Sequence, residues 1–288
     1  MRSNLVSIKT TAGLVARDNV VVTKLRGSVG PITRTVKDAA IMLNHMAGPS
    51  PADPLSLHNP FSNAVPDYTE SCKEEGRQNG LLNSRLGIPR NNADNPFASG
   101  MNLSPVMRAF DRVLDDVFRP AGAVIIDNAN YTAYAEINDP ETAPQQIVGP
   151  SEYKRDIERY FASLVVNPHN IRTMEDLIRC TKSLPEEEYP SRDVGHWEAV
   201  SEAPDFDSQH VVDAVERMRR LGGGPGGIDG ALEAADADAL IFPSVCSSDV
   251  PGLVGYPVVC VPLGFLPEGT AEKRNALGNL VEEAPGIP

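Results

Sequence analysis

The chain has 288 residues, of which 41% are hydrophobic and 23% are charged. This composition is typical of a globular protein and excludes the disordered, collagenous and coiled-coil classes. The 26 basic residues against 39 acidic ones give a net charge of −13, so we expect neither a nucleic-acid partner nor an anionic membrane partner. No stretch approaches the roughly 20 consecutive apolar residues of a transmembrane segment. With no signal-peptide pattern either, we expect a cytoplasmic protein.

The first half of the chain contains patterns of an α/β protein. The valines at 20–22 indicate a short strand or extended segment. Apolar residues at helical spacing predict an amphipathic helix over 35–46, and repeated prolines predict a long irregular loop over 50–66. Residues 86–90 are a candidate buried strand. Ser104 is predicted to cap a second helix, which has proline at its first position and ends before Pro120.

The next apolar run, residues 122–127, predicts a strand with both faces buried. A helix, a glycine turn and an apolar strand in this order are typical of an α/β sheet. Helical periodicity then dominates 151–221, with a capping box at Thr173. After the glycine-rich stretch 222–227 we expect one short helix and two strands, at 228–235, 239–242 and 257–261.

Common motifs of cofactor and metal sites are not found in the sequence. The glycine-rich stretch 222–227 is followed by Ile228 and Asp229 rather than by the Lys and Ser/Thr of a P-loop, so it indicates a flexible turn. No G-x-S-x-G elbow selects a nucleophilic serine. The histidines lack metal-ligand spacing and the cysteines form no C-x-x-C pair; these are His45, His58, His169, His196, His210, Cys72, Cys180, Cys246 and Cys260. We expect no cofactor, no metal, and buried free thiols.

Three serines follow the strand predicted at 239–242. Ser244, Ser247 and Ser248 occupy the position, beyond the carboxyl end of a strand, where an open α/β sheet usually forms its ligand crevice. Serine also commonly hydrogen-bonds backbone groups within turns, and this alternative is the more frequent one.

Two segments carry a family resemblance. Residues 7–17, SIKTTAGLVAR, and 27–40, GSVGPITRTVKDAA, closely resemble the amidase signature family, which includes fatty-acid amide hydrolases, bacterial amidases and the A subunit of glutamyl-tRNA amidotransferase. Residues 86–90, 189–193 and 240–265 are similar to its fungal branch. The resemblance implies an α/β fold with helices covering a mixed sheet, formed here by one partial domain over 1–288. It also implies hydrolysis of carbon–nitrogen bonds in amides.

The resemblance implies that the catalytic residues are not encoded in this chain. Family members carry a lysine, a bridging serine and a nucleophilic serine upstream of the segment that residues 2–9 match. We therefore expect a fold truncated at both ends, an inactive chain and no catalytic residue within it. Lys9 matches a position after the nucleophile, which favours a structural role.

A small-molecule amide is the expected ligand. We expect Ser244, Ser247, Ser248 and Tyr256 to bind it, as the remaining lining of the family's pocket. The alternative function is a non-catalytic pseudoenzyme that binds an amide ligand or an intact paralogue; a decayed gene product is a third interpretation. We also expect an exposed apolar face, through which the chain forms a homo-oligomer or another association.

Overall fold

A computed structural model describes residues 4–21, 23, 25–61, 64–74, 79–94 and 104–287, and these form a mixed α/β structure. The strands are β1 (Val6–Lys9), β2 (Ile32–Thr33), β3 (Arg85–Ile88), β4 (Val124–Asp127), β5 (Ala239–Leu240), β6 (Val258–Cys260), β7 (Lys273–Arg274) and β8 (Val281–Glu283). The helices are α1 (Val36–Met46), α2 (Arg90–Ala93), α3 (Ser104–Val113), α4 (Tyr134–Ile137), α5 (Pro144–Ser163), α6 (Met174–Ser183), α7 (Gly195–Ser201), α8 (Gln209–Gly222), α9 (Ile228–Ala235) and α10 (Val250–Val254).

One small sheet joins the two ends of the sequence. Its central strand β1 pairs antiparallel with β2 and β6, and Ser7 lies opposite Cys260. The extended segment predicted at 20–22 forms no strand at Val20 and Val21, which are partly exposed, and Val22 lies outside the described residues. The buried Val6 belongs to the strand that forms instead.

The second sheet is parallel and has the order β4-β3-β5. Its central strand β3 confirms the strand predicted at 86–90. The prediction that both faces of the strand at 122–127 are buried is wrong, because β4 lies at the sheet edge and Val124 is 43% exposed. β5 and β6 are shorter than predicted, and the hairpin β7–β8 was not predicted.

Helices α4, α5, α8, α9 and α10 surround the largest apolar core. Side chains from all five meet there, among them Ile137, Val148, Val211 and Leu253. The sequence predicts most of these helices, although α5 begins earlier than expected, at Pro144. No helix among the described residues is long and apolar enough to cross a membrane.

Local caps set the helix starts. Thr173 and Asp176 form the expected capping box of α6, each side chain accepting a hydrogen bond from the other residue's backbone N–H. Thr35 caps α1 by accepting a hydrogen bond from the backbone N–H of Asp38. Ser104 differs from expectation, since it is the first residue of α3 rather than its cap.

A buried ion pair fixes the loops near α1. The Arg17 guanidinium donates two hydrogen bonds to the Asp53 carboxylate, at 2.8 and 2.9 Å, and a third to the backbone oxygen of Gly27. The arginine is 1% exposed and the aspartate 3%. The bidentate geometry compensates for removing both charges from water.

Candidate functional site

A cavity of about 1210 Å³ opens between the two three-stranded sheets. Its walls come from α3, from the segments around β5 and β6, and from the extended chain that follows β6. Most of the lining is apolar, as in small-molecule pockets, and includes Phe110, Leu114 and Phe242. All four predicted binding residues, Ser244, Ser247, Ser248 and Tyr256, border this one cavity.

Three of the four residues lie in a single 3-10 turn at Ser244–Ser248, here called the serine turn. It follows β5, as the strand-end argument predicts. Ser244 and Ser248 are exposed and Ser247 is half-buried, and none of the three hydroxyls has a hydrogen-bond partner among the described residues. These hydroxyls therefore do not satisfy the backbone of their own turn, and they can bond a ligand.

The hydroxyl of Tyr256 is hydrogen-bonded within the protein. It donates a 2.5 Å hydrogen bond to the Asp229 carboxylate, and it lies 3.4 Å from the backbone oxygen of Gly223. Burial, with the charge and hydrogen bond of Asp229, raises the pKa of Tyr256 to about 12. Tyr256 therefore offers the cavity its apolar ring rather than a free hydroxyl.

Cys246 of the serine turn belongs to a group of buried side chains, here called the buried cluster: Asn92, Tyr131, Tyr134, Cys246 and Asp249. Asn92 donates to the Asp249 carboxylate at 2.8 Å and to the Tyr134 hydroxyl at 3.2 Å. Burial raises the pKa of Cys246 to about 12, which keeps it a neutral thiol. Asn92 and Asp249 are not predicted as site residues from the sequence. The sequence signals that could have indicated them are weak: Asn92 is an asparagine shortly after β3, and Asp249 is an acidic residue after three serines.

Lys9 does not contact the serine turn. Its Nζ donates a 2.8 Å hydrogen bond to the backbone oxygen of Tyr256. Burial lowers the pKa of Lys9 to about 8. Lys9 lies at the end of β1, and its structural role stays a prediction.

The glycine-rich stretch packs tightly. A Cβ atom on Gly227 would lie 2.0 Å from the backbone oxygen of Gly222, and one on Gly222 would lie 2.6 Å from Val254 Cγ1. The turn therefore serves the packing of α8 against α9 and α10, rather than being only a flexible break.

Among the described residues, no group of three or more His, Cys, Asp or Glu side chains could hold a metal ion. All four cysteines are free thiols. The expectation that they are buried holds for Cys246 alone, since Cys72, Cys180 and Cys260 are half-buried. A shallower depression of about 620 Å³ lies beside α4, and Tyr131 borders both it and the cavity.

Amidases are the relatives that the sequence matches. The chain is 35% identical over 288 residues to a putative amidase of Arthroderma benhamiae, covering 100% of this chain and 46% of that protein. It is 30% identical over 157 residues to the A subunit of the glutamyl-tRNA(Gln) amidotransferase of Trichodesmium erythraeum, covering 54% of this chain and 29% of that protein. No family model matches the chain. The chain therefore spans about half the length, or less, of these curated relatives.

Solved structures of peptide amidases share the fold. The native peptide amidase of Stenotrophomonas maltophilia matches with a TM-score of 0.71 and 25% identity, over 91% of this chain and 52% of that one. A peptide amidase in complex with the competitive inhibitor chymostatin matches with a TM-score of 0.72, at the same identity and coverage. These matches confirm the α/β amidase-signature fold and the resemblance to that family: the chain is a relative of the amidases over about half of their length.

Proposed function

We propose that the chain forms part of an enzyme that hydrolyses carbon–nitrogen bonds in amides, and that its cavity holds the amide substrate. The observation that carries this proposal is the placement of Ser244, Ser247, Ser248 and Tyr256 around one largely apolar cavity. Free hydroxyls beside apolar walls suit a ligand with a polar amide and an apolar remainder.

The nucleophile is proposed to come from outside these 288 residues. Amide hydrolysis needs an activated nucleophile, a base and donors for the oxyanion. Each of the serine-turn hydroxyls lacks a base within hydrogen-bonding distance among the described residues, and Lys9 Nζ is bonded to Tyr256 instead. This proposal is supported by the family that the chain resembles, whose lysine and two serines are expected upstream of the segment that residues 2–9 match. In this proposal the chain is a single partial domain that supplies substrate binding and has no activity alone.

The cavity is also the proposed point of association with the rest of an amidase fold. Within the described part of the chain, β5 and β6 each pair on one side only, and both border the cavity. Four apolar side chains after or within β6 are exposed, here called the apolar row: Val259, Val261, Leu263 and Phe265. A polypeptide that supplies the remaining strands would bury this row; self-association of the chain is the alternative.

A non-catalytic role, binding an amide ligand or an intact paralogue, is the second candidate. It is favoured by the neutral Cys246 thiol and by the absence of a base near the serine-turn hydroxyls in the described residues. For either function we propose a cytoplasmic location, which the four free thiols support because the cytosol keeps cysteines reduced.

The test compares the chain alone with the chain co-expressed with the portion of the Arthroderma benhamiae amidase that the match leaves out. We expect the chain alone neither to hydrolyse aryl amides or peptide amides nor to react with a fluorophosphonate probe, and the combination to do both. Hydrolysis by the chain alone would place the nucleophile within these residues. Binding of an amide by the combination without hydrolysis would favour the non-catalytic role, and no binding would contradict both.

A further inference from the structure

The buried cluster connects two distant parts of the sequence. Asn92 follows β3 in α2, and Asp249 lies between the serine turn and α10. Their side chains are 0% and 1% exposed, and Asn92 Nδ2 lies 2.8 Å from Asp249 Oδ2. This hydrogen bond therefore joins the residue after the serine turn to α2, the short helix that follows the central strand of the parallel sheet.

Backbone contacts make Asp249 a junction. The backbone N–H of Asp249 donates to the backbone oxygen of Cys246 and closes the serine turn. The backbone oxygen of Asp249 accepts a hydrogen bond from the N–H of Leu253 in α10. The Cys246 thiol lies 3.7 Å from the backbone oxygen of Asn92, which is a second link to the same segment. Asp249 is therefore bonded to the serine turn and to α10 through its backbone, and to Asn92 through its side chain.

The buried cluster combines one strong hydrogen bond with polar atoms that have no partner. A hydrogen bond from an amide to a carboxylate is stronger than one between neutral groups, and burial strengthens it further. Yet Asn92 Oδ1 and the Tyr131 hydroxyl have no partner among the described residues. A buried network that leaves such atoms unsatisfied costs stability, which suggests a role other than stability.

We propose that Asn92 and Asp249 are positioning residues, whose hydrogen bond holds the serine turn with its hydroxyls toward the cavity. This proposal rests on the proposed function in one respect, which is that the serine-turn hydroxyls bind the amide ligand. Displacing groups that contact a ligand by about 1 Å can cost about a hundredfold in function, so one buried hydrogen bond is enough to matter.

The test variant is Asn92→Asp, which places a second carboxylate beside Asp249. The other titratable groups facing this pair are Tyr131, Tyr134 and Cys246, with Asp94 acting on the cysteine. Two buried carboxylates cannot both ionise readily, so near about pH 5 they share a proton and keep the bond, whereas near about pH 8 they repel. The pH difference separates positioning from a general loss of folding.

Two readouts are measured at both pH values. The first is hydrogen exchange of residues 243–256, and the second is the affinity for chymostatin. For Asn92→Asp we expect exchange about tenfold faster and binding about tenfold weaker near pH 8 than in the wild-type chain, with wild-type behaviour near pH 5. Fluorescence of Trp197 checks that the variant stays folded. The control is Asn128→Asp, an exposed position with φ of 61°, which aspartate tolerates.

A reciprocal exchange completes the test. The double variant Asn92→Asp, Asp249→Asn restores an amide–carboxylate pair in the opposite direction, and we expect it to recover protection near pH 8. Unchanged exchange in the single variant, or failure of the double variant to recover, would overturn the positioning role. If the wild-type chain binds no chymostatin, the ligand part of the proposed function fails, and the exchange data decide the positioning role independently.

Discussion

The Nζ atom of Lys9 donates a hydrogen bond to the backbone oxygen of Tyr256, a residue 247 positions further along the chain. The bond lies beside the pairing of β1 with β6 and ties that sheet to the edge of the cavity. Because Lys9 is partly buried, the same contact places a titratable group where its charge is disfavoured.

This lysine predicts a pH dependence of stability. The pKa of Lys9 is lowered from 10.5 to about 8 by burial, so between these values the unfolded chain binds a proton that the folded chain does not. The contribution of Lys9 to folding therefore becomes more favourable as pH rises through this range. We expect the free energy of unfolding of Lys9→Met, relative to wild type, to decline from pH 8 to 10.5. Urea unfolding monitored by Trp197 fluorescence measures it, and a pH-independent difference would contradict the prediction.

The ion pair of Arg17 and Asp53 predicts a large effect of breaking one partner. In Asp53→Ala the Arg17 guanidinium remains buried without its carboxylate. We expect the free energy of unfolding to fall by about 3–5 kcal/mol. The matched control is Asp115→Ala, which removes an exposed ion pair with Arg119 and should cost about 0–1 kcal/mol. Chemical denaturation of both variants checks the ranking, which equal losses would refute.

The apolar row predicts self-association of the chain alone. Val259 is 59% exposed beside the cavity, and burial of this row against another polypeptide is favourable. We expect Val259→Lys to lower the association constant measured by sedimentation. Val165→Lys is the control, since Val165 is 100% exposed in the loop after α5 and away from the cavity. A wild-type chain that stays monomeric and melts sharply and reversibly at every concentration would contradict this expectation.

The glycine turn predicts a contrast between two alanine substitutions. Gly227→Ala would bring its Cβ within 2.0 Å of a backbone oxygen, so the backbone must shift, and we expect a loss of about 1–3 kcal/mol. In Gly252→Ala the nearest atom is a backbone oxygen at 3.5 Å, an ordinary contact, so we expect no loss of stability from overlap. Thermal unfolding of the two variants measures the contrast, and equal melting temperatures would argue against tight packing of the turn.

Local sequence signals predict the helices better than the sheets. Thr173 and Asp176 act within four residues of each other, and so the start of α6 can be read from the sequence. The pairing of Ser7 with Cys260 depends on a contact across the whole chain, for which the sequence has no local signal. The exposed side of β4 was missed for a related reason: an apolar run does not say whether a strand lies at a sheet edge.

In the candidate site, too, some residues can be predicted from the sequence and others cannot. The three serines follow β5, so a rule about strand ends is sufficient to predict their place beside the cavity. Asn92 and Asp249 meet only because the fold brings α2 against the serine turn. The types of these two residues and their spacing in the sequence do not predict this contact.

The antiparallel pairing of β1 with β6 has a consequence for synthesis on the ribosome. Cys260 is added more than two hundred residues after Ser7. At roughly 5–20 residues per second, the first strand waits on the order of ten seconds or longer for its partner. During that interval the edge of β1 that later pairs with β6 has no partner strand, and an unpaired strand edge can pair with another chain.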